Sequence, residues 1–426
     1  MAAKNVIIRT AALERAYKSR TEGISMEKLT VEQALEALLE HTKVIEETET
    51  VPLLQACGRV LAKDMIAGFD NPPFDRSPVD GYACKAEDIT DASESHPVQL
   101  TVLEEIDAGQ YSRVTVEKGQ AVRIMTGAAI PKGCDCCVRQ EDTDYGEETV
   151  RIFRPTGQWQ NYCYQGENFK NGTVLLKKGD KIGFIEAGIL ASMGVIKVKV
   201  YRRVRAAVLT TGDEVMAPGK RLIPGKIYDC NQGLLAARMK EFGAELVEVA
   251  AIEDRPQAMT AALERIAPSV DLIVTTGAVS VGKKDIMHEA LEMAGAKRIF
   301  WHIQMEPGMP TLFSMYQDTP VISLSGNPFG VAVSIDLLLR PVLHKMTQDE
   351  ALKTVRKKCL LKNKFSKTIR GRRYVRAMTD GETVTIPTVL HSNGVLSSLV
   401  GCNCLIEMQE GQTGTNAGEM AEVILL

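Results

Sequence analysis

Two carboxylates, Glu214 and Asp285, each follow a glycine-bearing turn at the end of a short apolar run. Magnesium beside a nucleotide is held by one or two carboxylates together with phosphate oxygens, so this pair is a candidate metal site. The plainer reading makes each a first-turn acid that complements a helix dipole. What must position them is a pattern that occurs three times. Residues 204–209 run into Thr210-Thr211-Gly212-Asp213-Glu214. Residues 271–274 run into Thr275-Thr276-Gly277-Ala278-Val279-Ser280-Val281-Gly282. Residues 320–324 run into Ser325-Gly326-Asn327-Pro328. Each run is short, apolar and β-branched, as a buried strand is. Each turn is small and hydroxylated, and its glycine lets backbone N–H groups approach a phosphate. Ligands of an open parallel sheet bind beyond the carboxyl ends of its strands. The pattern predicts one crevice for a phosphorylated, nucleotide-like ligand.

Two other loops carry polar groups on turns. The stretch from Asp70 to Ala83 contains Pro72, Pro73, Pro78 and the pair Asp80-Gly81, which force an irregular, rigid path. Ile124-Met125-Thr126-Gly127-Ala128-Ala129-Ile130-Pro131 reads as a β-edge turn with a hydroxyl at its apex. Either is equally readable as a simple connection. Cys134-Asp135-Cys136-Cys137 contains a C-x-x-C spacing and Cys402-Asn403-Cys404 a C-x-C, so zinc is conceivable. The apolar flanks of the first group favour buried thiols acting as small hydrophobes. The six histidines have no metal-ligand spacing, and no Ser-His-Asp or Walker A pattern stands out.

With 426 residues the chain is too long for one ordinary core. Its 45% hydrophobic and 25% charged residues are those of a soluble globular protein. Fifty-one basic against 54 acidic residues leave a net charge of −3, so no basic field argues for nucleic acid. No apolar run reaches the ~20 residues of a membrane span. Arg9, Glu14, Arg15, Lys18 and Arg20 interrupt any signal-type apolar core, and a cytoplasmic location with reduced cysteines is expected.

Five parts are expected along the chain. Residues 1–25 form an N-terminal extension. Residues 26–68 and 165–202 form a discontinuous linker and dimerisation domain, opened by the capping box Thr30-Val31-Glu32-Gln33. A second helix is expected within 50–67. Residues 69–164, with short alternating strands and many turns, form an inserted β-rich domain. Residues 203–346 alternate strand and helix and predict a central α/β domain with helices on both sheet faces. Residues 347–426 form a small C-terminal β domain. The fold class is multi-domain α/β and β.

Several of these segments, in this order, resemble the MoeA family of molybdopterin molybdenumtransferases, whose eukaryotic counterpart is the gephyrin E domain. The resemblance covers nearly everything after about residue 26. It rests on Ser77-Pro78-Val79-Asp80-Gly81-Tyr82-Ala83, Ile124-Met125-Thr126-Gly127-Ala128, Gly166-Glu167-Asn168, Thr211-Gly212-Asp213-Glu214-Val215, Ile227-Tyr228-Asp229-Cys230-Asn231, Gly277 to Asp285, Pro307-Gly308-Met309-Pro310 and Ser325-Gly326-Asn327-Pro328. It implies an elongated homodimer that inserts molybdate into adenylylated molybdopterin with release of AMP. The α/β domain of one protomer would face the β-rich domain of the other. Asp80, Thr126, Glu214 and Asp285 are the implied catalytic residues, with Glu214 and Asp285 on Mg²⁺. The full set expected to contact substrate is Thr211, Gly212, Asp213, Asp271, Gly277, Ser280, Gly282, Pro307, Gly308, Pro310, Gly326, Asn327, Pro328 and Ser392. Other cofactor-biosynthesis proteins are further expected partners; nucleic acid and membrane are not.

The sequence departs from the family pattern at four places. Gly-Glu-Asp stands as Gly166-Glu167-Asn168, and Lys-Pro-Gly-Lys-Pro as Glu306-Pro307-Gly308-Met309-Pro310. Pro-Gly-Asn-Pro stands as Ser325-Gly326-Asn327-Pro328, and Gly-Gly-Val-Ser as Gly277-Ala278-Val279-Ser280. Loss of two lysines and gain of Glu306 are expected to disfavour anion capture. The alternatives carried forward are a catalytically altered paralogue that binds pterin or nucleotide, and a scaffold protein.

Overall fold

The structure, a computed structural model, describes residues 28–279, 286–366, 371–388, 391–412 and 414–426. The expected extension 1–25 and the expected site residues Ser280, Gly282 and Asp285 lie outside them. The chain divides into two units. One takes in the chain up to Glu49, Gly58–Val60 and Tyr201–Leu426; the other takes in Thr50–Cys57 and Leu61–Val200.

The first unit is built on a six-stranded mixed sheet. Its elements, numbered here in chain order, begin with helix α1 (Val31–Glu40). The sheet follows as β1 (Arg205–Thr211), α2 (Cys230–Glu241), β2 (Glu245–Ile252), α3 (Pro256–Ile266), β3 (Leu272–Thr276), α4 (Met287–Met293), β4 (Lys297–Trp301), β5 (Leu312–Tyr316) and β6 (Thr319–Leu324). A helical rod closes it, with α5 (Pro328–Ser334) joined to α6 (Arg340–Thr347) through a π-turn at Ile335–Leu339. The strand order is β2-β1-β3-β6-β5-β4. Strands β2, β1, β3 and β6 run parallel; β5 is antiparallel to both its neighbours.

Alternation along the central strands explains the two layers of helices. Ala206, Val208, Leu272, Val274, Ile322 and Leu324 belong to one core with residues of α1, α2 and the 328–347 rod. Ala207, Leu209, Ile273 and Val321 belong to a second core with α3 and α4. A strand buried on both faces must be apolar at every position, which is why these runs lack polar alternation. Helix α1 begins where its capping box dictates: Thr30 accepts from the Gln33 backbone N–H, and the Gln33 side chain accepts from the Thr30 N–H. Its stripe Val31, Ala34 and Leu38 is buried. Truncating Leu38, which is fully buried, would cost about 2–5 kcal/mol.

The same unit ends in a closed five-stranded barrel, Arg356–Leu361, Thr383–Thr385, Arg373–Thr379, Cys404–Met408 and Met420–Leu425 in that order. Closure leaves no unpaired edge.

The second unit holds a five-stranded sheet in the order Cys136–Arg139, Gly81–Cys84, Gln120–Ile124, Val98–Ile106, Thr149–Ile152. Cores lie on both its faces, one with Tyr82 and Cys84, the other with Ala83, Val122 and Cys137. Cys84, Cys134, Cys136 and Cys137 are all buried, as small hydrophobes are. Burial pushes the Cys137 thiol up to about 12. A third core gathers Val51, Leu61, Met65, Leu176, Ile182, Leu190 and Val198 around a helix at Phe184–Ser192. The helix expected within 50–67 does not form. Leu53–Gln55 makes one 3-10 turn, and Gly58, with φ of 76°, ends the helical path.

Candidate active site

Strands β1, β3 and β6 are neighbours, so their three carboxyl ends lie side by side, as the threefold strand–turn pattern predicts. The crevice beyond them has a volume of about 220 Å³. It is floored by closely packed turns, and at Gly277 there is no room for a side chain. A Cβ on Gly277, whose φ is +97°, would stand 2.2 Å from the Thr211 carbonyl oxygen. The Gly326 turn packs against it: a Cβ on Gly326 would lie in ordinary contact with the Gly277 Cα, at 3.6 Å.

Hydroxyls and amides tie the floor together. Thr276 Oγ1 donates to the Ser325 carbonyl at 2.9 Å. Asn231 Nδ2 donates to the Gly326 carbonyl at 2.8 Å. Thr210 Oγ1 donates to Asp229 Oδ2 at 2.5 Å, and the other oxygen of Asp229 accepts from the Gln232 N–H at 3.0 Å. Asp229 thereby caps α2, whose N-terminus opens at the crevice. Thr211 Oγ1 donates to Asp254 Oδ1 at 3.1 Å. The Glu214 carboxylate is exposed and folds back over Gly212, where a Cβ would meet it at 2.8 Å. The crevice thus combines glycine-bearing turns, a helix N-terminus and an open carboxylate, a set that suits phosphate with a divalent ion. Among the described residues no group of three or more His, Cys, Asp or Glu could hold a metal on its own.

The expected residues do not all meet at the crevice. Thr211, Gly212, Glu214, Gly277 and Gly326 line the crevice, and Asp213, Asn327 and Pro328 adjoin it in sequence. Asp271 is not brought there. It precedes β3, at the strand's opposite end, and its carboxylate takes both terminal nitrogens of Arg202 at 2.6 and 2.9 Å. Its role in the structure is an ion pair. Asp285, Ser280 and Gly282 lie outside the described residues.

The turn that contains Pro307, Gly308 and Pro310 packs on α5. A Cβ on Gly308 would stand 2.9 Å from Ser334 Oγ. Glu306 and Met309 are not the uncompensated losses that the sequence suggests. Arg373 Nη1 donates to Glu306 Oε1 at 2.8 Å. Lys28 Nζ lies 3.5 Å from Met309 Sδ. One cation offsets the added anion, and another stands beside the position that lacks a lysine.

Ser392 is reached through its backbone. Its carbonyl accepts from Arg376 Nη2 at 3.0 Å, and the Val395 carbonyl accepts from Nη1 at 2.7 Å. The Arg376 guanidinium lies 3.5 Å over the Phe329 ring, at the first turn of α5. The Phe329 N–H donates to the Asn393 carbonyl at 3.0 Å. Arg376 is buried with no carboxylate among its partners in the described residues, and burial lowers its pKa. Sequence reading missed it, along with the lining residues Asp229, Asn231 and Asp254. Of these Asp229 carried a local signal, an acid just before a helix, and both Asp229 and Asn231 fall in a segment that carries the resemblance.

In the second unit, Asp80 and Thr126 meet. Asp80 Oδ1 accepts from the Thr126 N–H and from Thr126 Oγ1, both at 2.7 Å. The backbone bond and then the hydroxyl bond hold the Asp80 pKa below its ordinary value. The two loops are zipped together where Ser77 N–H donates to Ala128 O at 3.0 Å and Gly127 N–H to Ser77 O at 2.8 Å. Gly81 is required next to Asp80, since a Cβ there would stand 1.8 Å from the Val138 carbonyl oxygen.

Known proteins with this organisation have been characterised. Residues 29–194 match the MoeA N-terminal region (domain I and II), 207–345 the "Probable molybdopterin binding domain", and 358–426 the MoeA C-terminal region (domain IV). A molybdopterin molybdenumtransferase of Staphylococcus epidermidis is 32% identical across 94% of this chain and 97% of its own length. Molybdopterin molybdenumtransferase 2 of Mycobacterium tuberculosis is 34% identical across 91% of this chain and 99% of its own. The crystal structure of the molybdopterin biosynthesis MoeA protein of Pyrococcus horikoshii superposes with a TM-score of 0.79 at 30% identity. It covers 94% of this chain and 99% of its own. With the crevice at three strand ends, the Asp80–Thr126 pair and these likenesses along the whole described length, the chain belongs to the MoeA family.

Proposed function

We propose that the protein completes molybdenum cofactor synthesis by inserting molybdate into adenylylated molybdopterin and releasing AMP. The observation that carries this reading is the crevice at the carboxyl ends of β1, β3 and β6, with its glycine turns, the α2 N-terminus and the open Glu214 carboxylate. In the reaction an oxygen of water or molybdate attacks phosphorus of the anhydride, the bridging P–O bond breaks and AMP leaves; the two dithiolene sulfurs bind molybdenum and displace one molybdate oxygen, which departs as water with the two thiol protons. Backbone N–H groups of the Gly212, Gly277 and Gly326 turns hold the phosphates. Asp80, kept ionised by Thr126, accepts a hydrogen bond from the ligand.

Mg²⁺ fits this donor set, because it keeps most of its waters and takes one or two carboxylates with phosphate oxygens. Glu214 would hold it together with Asp285. When bound, Mg²⁺ withdraws charge from the anhydride and so eases departure of AMP.

We also propose a homodimer in which the β-rich part of one protomer serves the α/β part of its partner. The second unit supports this with a strongly apolar surface: Leu54, Phe184 and Ile196 are 85%, 86% and 79% exposed, and Ile185 adjoins them. Exposed apolar patches on soluble proteins mark interfaces. The five-part domain division given above, other cofactor-biosynthesis proteins as partners and a cytoplasmic location complete the proposal. No helix among the described residues is long and apolar enough to cross a membrane. The altered-paralogue reading rested on Glu306 and Met309, and their pairing with Arg373 and Lys28 weakens it.

The test is conversion of adenylyl-molybdopterin and molybdate to cofactor and AMP by the purified protein. Glu214→Gln should weaken Mg²⁺-dependent AMP binding about tenfold while leaving the melting temperature unchanged, since the side chain is exposed. Metal-independent binding of equal strength in wild type and variant would remove Glu214 from the site.

A further inference from the structure

The segment Ala217-Pro218-Gly219-Lys220-Arg221-Leu222-Ile223-Pro224-Gly225-Lys226 leaves the crevice wall after Glu214 and returns to it before Asp229. Its path is fixed. Two prolines limit φ, and Gly219 and Gly225 turn in the left-handed region at 88° and 81°. The Lys226 N–H donates to the Ile223 carbonyl at 3.2 Å, and Tyr228 Oη donates to the Lys220 carbonyl at 2.8 Å. On return, the Ile227 N–H donates to the Glu214 carbonyl at 2.8 Å and the Asp229 N–H to the Met216 carbonyl at 2.9 Å. Lys226 is thereby set against the Asp213-Glu214 turn, and its Nζ donates to the Asp213 carbonyl.

That placement has an electrostatic meaning. The described lining of the crevice contains Glu214, Asp229 and Asp254 but no lysine or arginine. A tetrahedral oxyanion seated there approaches the Glu214 carboxylate and needs positive charge on the same side. An ammonium has three donors, and Lys226 uses one on the Asp213 carbonyl.

We propose that Lys226 is an anion-positioning residue, whose ammonium binds an oxygen of a phosphate or of molybdate at the crevice mouth. This rests on the function proposed above. The loop's rigidity pre-organises the charge, so binding costs little ordering of the lysine. Lys220 and Arg221, exposed on the outward part of the loop, add only to the long-range field.

The experiment measures AMP with Mg²⁺, and molybdate alone, by calorimetry on the full-length protein at low and moderate ionic strength. Lys226→Gln should weaken binding of at least one of them about tenfold and flatten its salt dependence. Lys226→Arg should restore most of the affinity, which a purely structural bond to the Asp213 carbonyl would not require. Lys220→Gln should change the affinity less than twofold. A loss confined to AMP identifies the bound oxygen as phosphate; a loss confined to molybdate identifies the free oxyanion. If the wild type binds a ligand and Lys226→Gln binds it equally well with the same salt dependence, Lys226 has no such role and the proposed function stands. If the wild type binds neither, the assignment and the proposed function both fall.

Discussion

Charge restoration at the 306–310 turn gives the sharpest test of how this crevice attracts anions. Sequence comparison suggests that Glu306→Lys and Met309→Lys together return what the family usually has. The structure separates the two changes. Met309 is 37% exposed and already has the Lys28 ammonium 3.5 Å from its sulfur. A lysine at 309 would face that ammonium, and two like charges near 4 Å cost about 1–4 kcal/mol between water and a protein surface. The pair would splay apart, and the local field would change little. Glu306 differs, because its carboxylate offsets Arg373 at 2.8 Å. Glu306→Lys adds a cation and also frees Arg373, whose backbone is held beside it by the Glu306 N–H to Arg372 bond and the Tyr374 N–H to Glu306 bond. The expected gain in attraction is about 1 kcal/mol, or roughly fivefold less molybdate for half-maximal cofactor formation at low salt. The same crowding should lower the melting temperature by about 2–4 °C. The assay is a molybdate titration of wild type and of each single variant at two ionic strengths, with thermal melts alongside. If Met309→Lys lowers the molybdate requirement as much as Glu306→Lys does, Lys28 does not compensate and the reasoning fails. If neither changes it, the turn does not contribute to the anion field.

Other perturbations reach different parts of the molecule. Thr126→Val removes the hydroxyl bond and should raise the Asp80 pKa toward its ordinary 3.8; NMR titration of the carboxyl carbon would read the shift. The sign follows from the depressed pKa: the pair's stabilisation is complete above the ordinary carboxylate range and is lost as pH falls through the lowered value. Phe184→Asp, at a site 86% exposed, should leave the melt of the second unit unchanged but give the monomer mass in light scattering; a persistent dimer would locate the interface elsewhere. Glu407→Ala should cost about 2 kcal/mol in denaturant unfolding, because buried Tyr374, half-buried Arg372 and exposed Arg356 lose their shared acceptor. Burial alone would raise the Glu407 pKa, and those donors more than offset it; a variant within about 1 kcal/mol of wild type would show the cluster to be neutral.

The α/β part was legible because its strands are buried on both faces, so each is an unbroken apolar run that ends in small turn residues. That the three turns meet in one crevice follows from strand order alone, since β1, β3 and β6 are neighbours. Strand β5 carries no such local signal: its first residue follows Pro310-Thr311 and its hairpin closes on Gln317, at φ of 53°, where no glycine marks the turn. Asp271 shows the limit of position in sequence: it adjoins the same strand as Gly277 but at the other end, where Arg202 holds it. Arg376 was illegible for another reason. Its value lies in contacts with residues 329, 392, 395 and 398, and no local spacing encodes those. The same holds for the compensation at Glu306 and Met309, where the rescuing cations come from residues 373 and 28.

The clasp between the 392–398 loop and α5 has a thermodynamic consequence. The barrel supplies three carbonyls, two to Arg376 and one to the Phe329 N–H, so the first turn of α5 is shaped by a part of the chain that folds around its own core. Ordering of the Ser325-Gly326-Asn327-Pro328 turn by a ligand and closure of the barrel are therefore coupled equilibria, and coupling free energies are reciprocal. A ligand present at a hundred times its dissociation constant protects whatever opens with its site by up to about 2.7 kcal/mol. Amide exchange at Val375, Ile406 and Val423, buried in the barrel and none of them lining the crevice, should then slow when the crevice fills. The barrel would act as a gauge of occupancy, and substitutions in its core would surface as altered ligand affinity without touching a ligand.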